Sequence, residues 1–95
     1  MIISVNTDIA MKYGPRAALA HGFIAHKCLN GVMINGHKYA RISASDIASA
    51  TGISTKRAYG TIRDMVADGV ILSIIFNKNT RRYYHAEINK TTKGR

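Results

Sequence analysis

Residues 43–71, SASDIASATGISTKRAYGTIRDMVADGVI, do most to limit what this chain can fold into. They read as two short helices, a tight turn between them and the opening of a strand. Ser43 precedes Asp46 by three residues, so hydroxyl and carboxylate can each satisfy a free amide of a new helix, the capping-box arrangement. Ile47, Ala48 and Ala50 supply its apolar face, and Thr51-Gly52 ends it where a left-handed residue is tolerated. Ser54 caps a second helix. Its apolar positions, Ala58, Ile62, Met65 and Val66, fall on one side. Gly69 stops it, and Val70-Ile71 opens a β-branched run predicted to continue as a strand to Phe76.

The other side of the second helix is polar. At about 100° per residue, Lys56, Gly60 and Arg63 point away from the apolar stripe, with Tyr59 at its edge. An N-terminal half that offers Lys, Arg, Tyr and a residue without a side chain suits close approach to phosphates and base edges. The pattern S-x-x-D-I-A-x-x-T-G-I-S-x-x-x-A-x-x-x-I-x-x-M-x-x-x-G-V-I, followed by two strands around a polar tip, resembles the winged helix-turn-helix family. The opening T-D-I-A-M-K-Y-G-P-R-A-A-L-A-H-G-F-I is similar to the first two helices of phage replisome organisers and related DnaD-like primosomal proteins. With it the resemblance spans roughly residues 5–88.

The resemblance implies an α+β fold, a winged helix-turn-helix of about four helices with a small antiparallel β-wing. It places a single domain over residues 1–88 and leaves residues 89–95 as a basic, flexible tail. The implied function is binding of double-stranded DNA by a phage, plasmid or mobile-element regulator or replication accessory. Pairing into a homodimer, through the first two helices or the N-terminal strand, is implied as well. The same scaffold also serves a different class, the phage anti-defence or other protein-binding inhibitor, whose target would be a host protein or a ribonucleoprotein.

Charge agrees with a polyanionic partner. Fourteen Lys and Arg against five Asp and Glu leave +9 over 95 residues. Such a field favours nucleic acid first, an acidic protein second and an anionic membrane third. The length makes one domain with a small core, and the 46% hydrophobic content is that of a globular protein. The single cysteine, Cys28, excludes an intrachain disulfide and fits a reducing cytosol; its apolar helical setting reads as a small core residue. No apolar run approaches the ~20 residues that span a bilayer. The opening MIISVNTDIA lacks the basic and apolar regions of a signal peptide, so a cytoplasmic location without a membrane partner is expected.

Before the central stretch, residues 1–5 are apolar and β-branched, either a short strand or a cover for the core. Asn6 or Thr7 caps a short helix over residues 8–13, with Asp8 suited to its first turn. Gly14 breaks it, and Pro15 starts a helix running to about Leu29. Its Ala18, Leu19, Gly22, Phe23, Ala25, His26 and Leu29 recur at three- and four-residue steps and are expected to face the core. Asn30-Gly31 stops it. Asn35-Gly36 lies between Val32-Met33-Ile34 and His37-Lys38-Tyr39, a small hairpin or an irregular loop. In a winged helix the arm over residues 39–42 adds a third strand to the wing sheet. Residues 77–80 form a turn, and residues 81–88 return as a strand with period two.

The candidate DNA-binding residues are Ser54, Thr55, Lys56, Arg57, Tyr59 and Arg63 on the second helix, placed to enter a major groove. Lys78, Arg81 and Arg82 at the wing could reach a minor groove or the flanking backbone. Lys90, Lys93 and Arg95 in the tail could add phosphate contacts. Asp64 and Asp68 lie toward the far end of the helix, where they would repel phosphate. Catalysis finds no support. Asp8, Asp46, Asp64, Asp68 and Glu87 read as caps, helix surface and strand face. His21, His26, His37 and His85 are scattered, and His21 and His26 are not at the i, i+4 spacing of a helical metal pair. No phosphate loop is present, and no enzyme activity, cofactor or metal is expected.

Overall fold

The computed structural model describes residue 3, residues 5–75 and residues 82–86. Helix α1 is Thr7–Tyr13; the Asn6 side chain starts it by accepting from the amides of Asp8 at 2.8 Å and Ile9 at 3.3 Å. Pro15 begins α2, Pro15–Cys28. A hairpin follows, β1 (Val32–Ile34) and β2 (His37–Arg41). It turns on Asn35 and Gly36, with φ of 52° and 86°. A two-residue type I′ turn needs positive φ at both central positions, which explains Asn-Gly there and settles the hairpin against an irregular loop.

The capping box forms as the sequence indicates. Ser43 Oγ accepts from the Asp46 amide and the Asp46 carboxylate accepts from the Ser43 amide, both at 3.0 Å, starting α3, Ala44–Thr51. Thr51 Oγ1 donates to the Ile47 carbonyl at 2.7 Å and accepts from the Ile53 amide at 3.3 Å, which shapes the turn. Ser54 Oγ accepts from the Arg57 amide at 3.2 Å and starts α4, Thr55–Ala67.

The end of α4 explains why the next strand starts later than predicted; the predicted end at Phe76, the turn over residues 77–80 and the return strand beyond residue 86 lie outside the described residues. Gly69, at φ 79°, donates to the Val66 carbonyl at 3.0 Å, and the Val70 amide reaches back to the Met65 carbonyl at 2.9 Å. This is a Schellman ending, and the left-handed φ is why glycine stands there. The Ile71 amide also turns back to Met65, at 3.3 Å. With both amides used by the helix, β3 begins only at Leu72 and runs Leu72–Ile75. Strand β4 is Arg82–His85.

Among the described residues the fold is therefore α+β: four helices and a four-stranded antiparallel sheet in the order β1-β2-β4-β3. Strand β2 joins the hairpin to the C-terminal pair, with Ala40 opposite Tyr84 and Arg41 opposite Tyr83. In the pair itself Ser73 lies opposite Tyr84 and Ile75 opposite Arg82. No described helix is long and apolar enough to cross a membrane.

Helix α2 packs against α1, α3, α4, β2 and β4. Its Ala17, Ala18, Ala20, His21, Gly22, Phe23, Ile24, Ala25 and Cys28 are all buried. The expectation of a single core stripe needs correcting: Leu29 is 67% exposed and His26 is exposed, whereas Ile24 and His21 are buried. Helix α2 ends at Cys28, and Leu29 follows the last turn outward. Five small residues let neighbours close in around most of the helix, leaving Pro15, Arg16, His26 and Lys27 as its exposed strip. Gly31, just past the helix, sits where a Cβ would lie 2.3 Å from the Tyr39 carbonyl oxygen, so only glycine lets α2 return this tightly to β2. In α3, Ile47 is buried but Ala50 is exposed, against the expected apolar face.

Candidate nucleic-acid interface

Helix α4 divides cleanly along its length. Ala58, Ile62 and Met65 are buried, and Val66 packs half-buried beside them. Burial of side chains the size of Ile62 and Met65 stabilises by roughly 1.5–3 kcal/mol each, which fixes the helix about its own axis. The opposite face then has to be outward. Ser54, Thr55, Lys56, Arg57, Tyr59 and Arg63 are all exposed, Tyr59 by 60%. Ser54, Lys56, Arg57, Tyr59, Gly60 and Arg63 line an open concavity of about 620 Å³. It is open above Gly60, where an added Cβ would meet nothing within 4 Å. Ser54 holds the helix start through its oxygen, and its O–H remains a donor.

A second, narrower opening lies between α4 and the sheet. It has a volume of about 160 Å³ and is lined by Tyr59, Ile62, Arg63, Val66, Ser73 and Tyr84. Tyr59 and Arg63 therefore border both openings. The Ser73 hydroxyl is buried and has no hydrogen-bond partner among the described residues. Sequence reading missed this crevice. The pairing of Ser73 with Tyr84 brings the two onto the sheet face that α4 covers, and only the β3–β4 register shows it.

The acidic end of α4 is anchored away from the concavity. Tyr13 Oη donates to Asp68 Oδ2 at 2.6 Å, tying the end of α1 to the end of α4. Burial, the hydrogen bond to Asp68 and the charges of Asp68 and Asp64 push the Tyr13 phenol up to about 12. Asp68 is thus a structural acceptor as well as a surface charge.

Of the wing candidates, Lys78 and Arg81 lie outside the described residues, as do Lys90, Lys93 and Arg95 of the tail. Arg82 is placed by its backbone as the first residue of β4. Tyr84 is buried against the core, 7% exposed.

The histidines are less scattered than their spacing suggests. The β2–β4 pairing brings the His37 and His85 rings to 4.6 Å between centroids, with Tyr39 5.7 Å from His85. His85 Nδ1 lies 2.7 Å from the Lys38 carbonyl oxygen. Among the described residues no group of three or more His, Cys, Asp or Glu could hold a metal ion. His21 is 1% exposed, its Nδ1 has no partner among the described residues, and burial lowers it to about 4. Cys28 is the expected core residue, 3% exposed, its thiol donating to the Tyr84 carbonyl at 3.1 Å. Burial pushes that thiol up, partly offset by the Ala86 and Ala40 backbones.

Compared with known protein families, curated proteins and solved structures, the chain matches none.

Proposed function

We propose that this chain is a winged helix-turn-helix protein that binds double-stranded DNA, with α4 as the recognition helix and β3–β4 as the base of the wing. The observation that carries the reading is the division of α4. Its apolar half is fixed in the core, so Lys56, Arg57, Tyr59 and Arg63 stand together on an open surface. A helix is the element that a major groove admits, and the cations at its N-terminal half are placed for phosphates and guanine edges. Gly60 between them lets a backbone approach closely. The net charge of +9 supplies the long-range attraction. A regulator or replication accessory of a phage, plasmid or mobile element fits this chemistry.

The test is Lys56→Ala with Arg63→Ala, measured by fluorescence anisotropy on a duplex enriched by the wild-type protein from a random pool. Each lost phosphate contact should lower the slope of log affinity against log salt by roughly 0.9, so about two for the pair. Stability should stay within about 0.5 kcal/mol, because both side chains are exposed and away from the core. An unchanged Kd and salt slope in the folded double variant would overturn the assignment of α4. A wild-type protein that retains no duplex at low salt would overturn DNA binding altogether and leave the class of protein-binding inhibitors.

A further inference from the structure

We infer that the crevice between α4 and the β3–β4 pair takes one unpaired nucleobase, so that the protein prefers DNA carrying an unpaired base to a fully paired duplex. The inference rests on the DNA-binding reading and specifies what that surface selects.

Position comes first. Tyr59 and Arg63 border both the cationic concavity and the crevice, so a strand lying along α4 passes the crevice mouth. The charge that holds the strand is therefore continuous with the opening. Size comes next. At about 160 Å³ the crevice is close to the ~150 Å³ of a cavity that admits a benzene ring. That is below the ~300–1,000 Å³ of sites for drug-sized ligands and suits a single planar ring system.

The lining has the chemistry a base requires. Ile62 and Val66 give apolar walls, and Tyr59 and Tyr84 bring aromatic rings. Stacking on such rings tolerates any base, because every base has a π-face. Ser73 lines the crevice, and its hydroxyl, buried in the wall and without a partner among the described residues, keeps the capacity to donate and to accept. Arg63 at the mouth is placed for the adjoining phosphate. A base inside an intact stack cannot enter. The cost of extrusion is least where the base is already unpaired, and this difference produces the preference.

Three DNAs of the same flanking sequence separate the outcomes: a paired duplex, the duplex with one bulged base, and the duplex with an abasic bulge. The bulged base should bind about tenfold more tightly than either of the others, the gain that one stacked base supplies. Ser73→Leu fills the crevice without touching the cationic face; it should erase the preference and leave the affinity for paired duplex unchanged. Where that variant does not fold, a bulged 2-aminopurine on the wild-type protein gives the answer, its fluorescence quenched on stacking. Equal affinity for all three DNAs, equal affinity for the base and abasic bulges, a preference that survives in folded Ser73→Leu, or unquenched 2-aminopurine would each overturn the crevice assignment while leaving duplex binding intact. A protein that binds none of the DNAs overturns both.

Discussion

Helices α2 and α4 are nearly equal in length, 14 and 13 residues, and opposite in use. Helix α2 packs against α1, α3, α4, β2 and β4, and it buries small residues, Phe23, Ile24 and one histidine among them. Helix α4 buries three residues, half-buries Gly60, Thr61 and Val66 and exposes the rest, with Lys56, Arg57 and Arg63 outward. On the proposed reading the difference is a division of labour between stability and recognition. Substitutions in α2 should act on folding and reach binding only through the folded population. Those on the outer face of α4 should do the reverse.

The largest effect tests the enclosed helix. Phe23 is 2% exposed in the middle of α2. Phe23→Ala removes a buried ring and leaves a cavity, and should cost about 3–5 kcal/mol in urea unfolding. In a domain this small that is a large share of a total near 5–15 kcal/mol. At temperatures where the variant is folded, its duplex affinity should equal the wild type's. A stable Phe23→Ala protein with weakened binding would break the division, because it would make α2 part of the recognition surface.

His21 gives the next effect, and a pH dependence with a defined sign. Its ordinary value is 6.5 and burial lowers it to about 4 in the fold. As pH falls below 6.5 the unfolded chain takes up a proton that the folded state refuses. Stability therefore declines from about pH 6.5 toward 4 and levels off below, a loss of up to about 3 kcal/mol. His21→Leu keeps the site apolar and should flatten that part of the curve, with no loss near neutral pH because an unpartnered polar atom is removed as well. Only residue 21 differs between the two proteins, so the difference between the two urea series isolates His21. Identical pH profiles would mean that α2 admits the charge and is less enclosed than its packing indicates.

How much of this was legible in the sequence follows the range of the interactions. Caps and turns act over a few residues, so the Ser43–Asp46 box, the Ser54 cap and the Gly69 stop can be read directly, while the first cap narrows to Asn6 or Thr7 and Asn35-Gly36 to a hairpin or a loop. The outer face of α4 was legible for the same reason, since one helical period separates Lys56, Arg57, Tyr59 and Arg63 from Ala58, Ile62 and Met65. Helix α2 was harder. Periodicity finds a narrow apolar stripe, whereas α2 is buried around most of its circumference, so His26 and Leu29 were expected inside and Ile24 was passed over. Contacts that need strand pairing were invisible. His37 meets His85, and Ser73 meets Tyr84, only because β4 lies between β2 and β3. Tyr13 and Asp68, 55 residues apart, belong to the same class.

The smallest effect sharpens the comparison at the one residue of α4 where the two demands oppose each other. Glycine inside a helix costs about 1 kcal/mol relative to alanine, because it loses more backbone freedom on folding. At Gly60 nothing in the fold requires glycine, since a Cβ would meet no atom within 4 Å and the residue has no positive φ. Gly60→Ala should therefore raise stability by about 0.8–1 kcal/mol in urea unfolding. The added methyl, however, projects into the concavity between Lys56, Tyr59 and Arg63. If a duplex seats against the helix backbone there, the same variant should bind it several-fold more weakly, a gain in folding set against a loss in recognition. A variant that is more stable and binds equally well would show that the DNA stands off the helix, held by the long cationic side chains alone. A variant that is less stable would place Gly60 with the enclosed residues of α2, and the division between the two helices would fail at its centre.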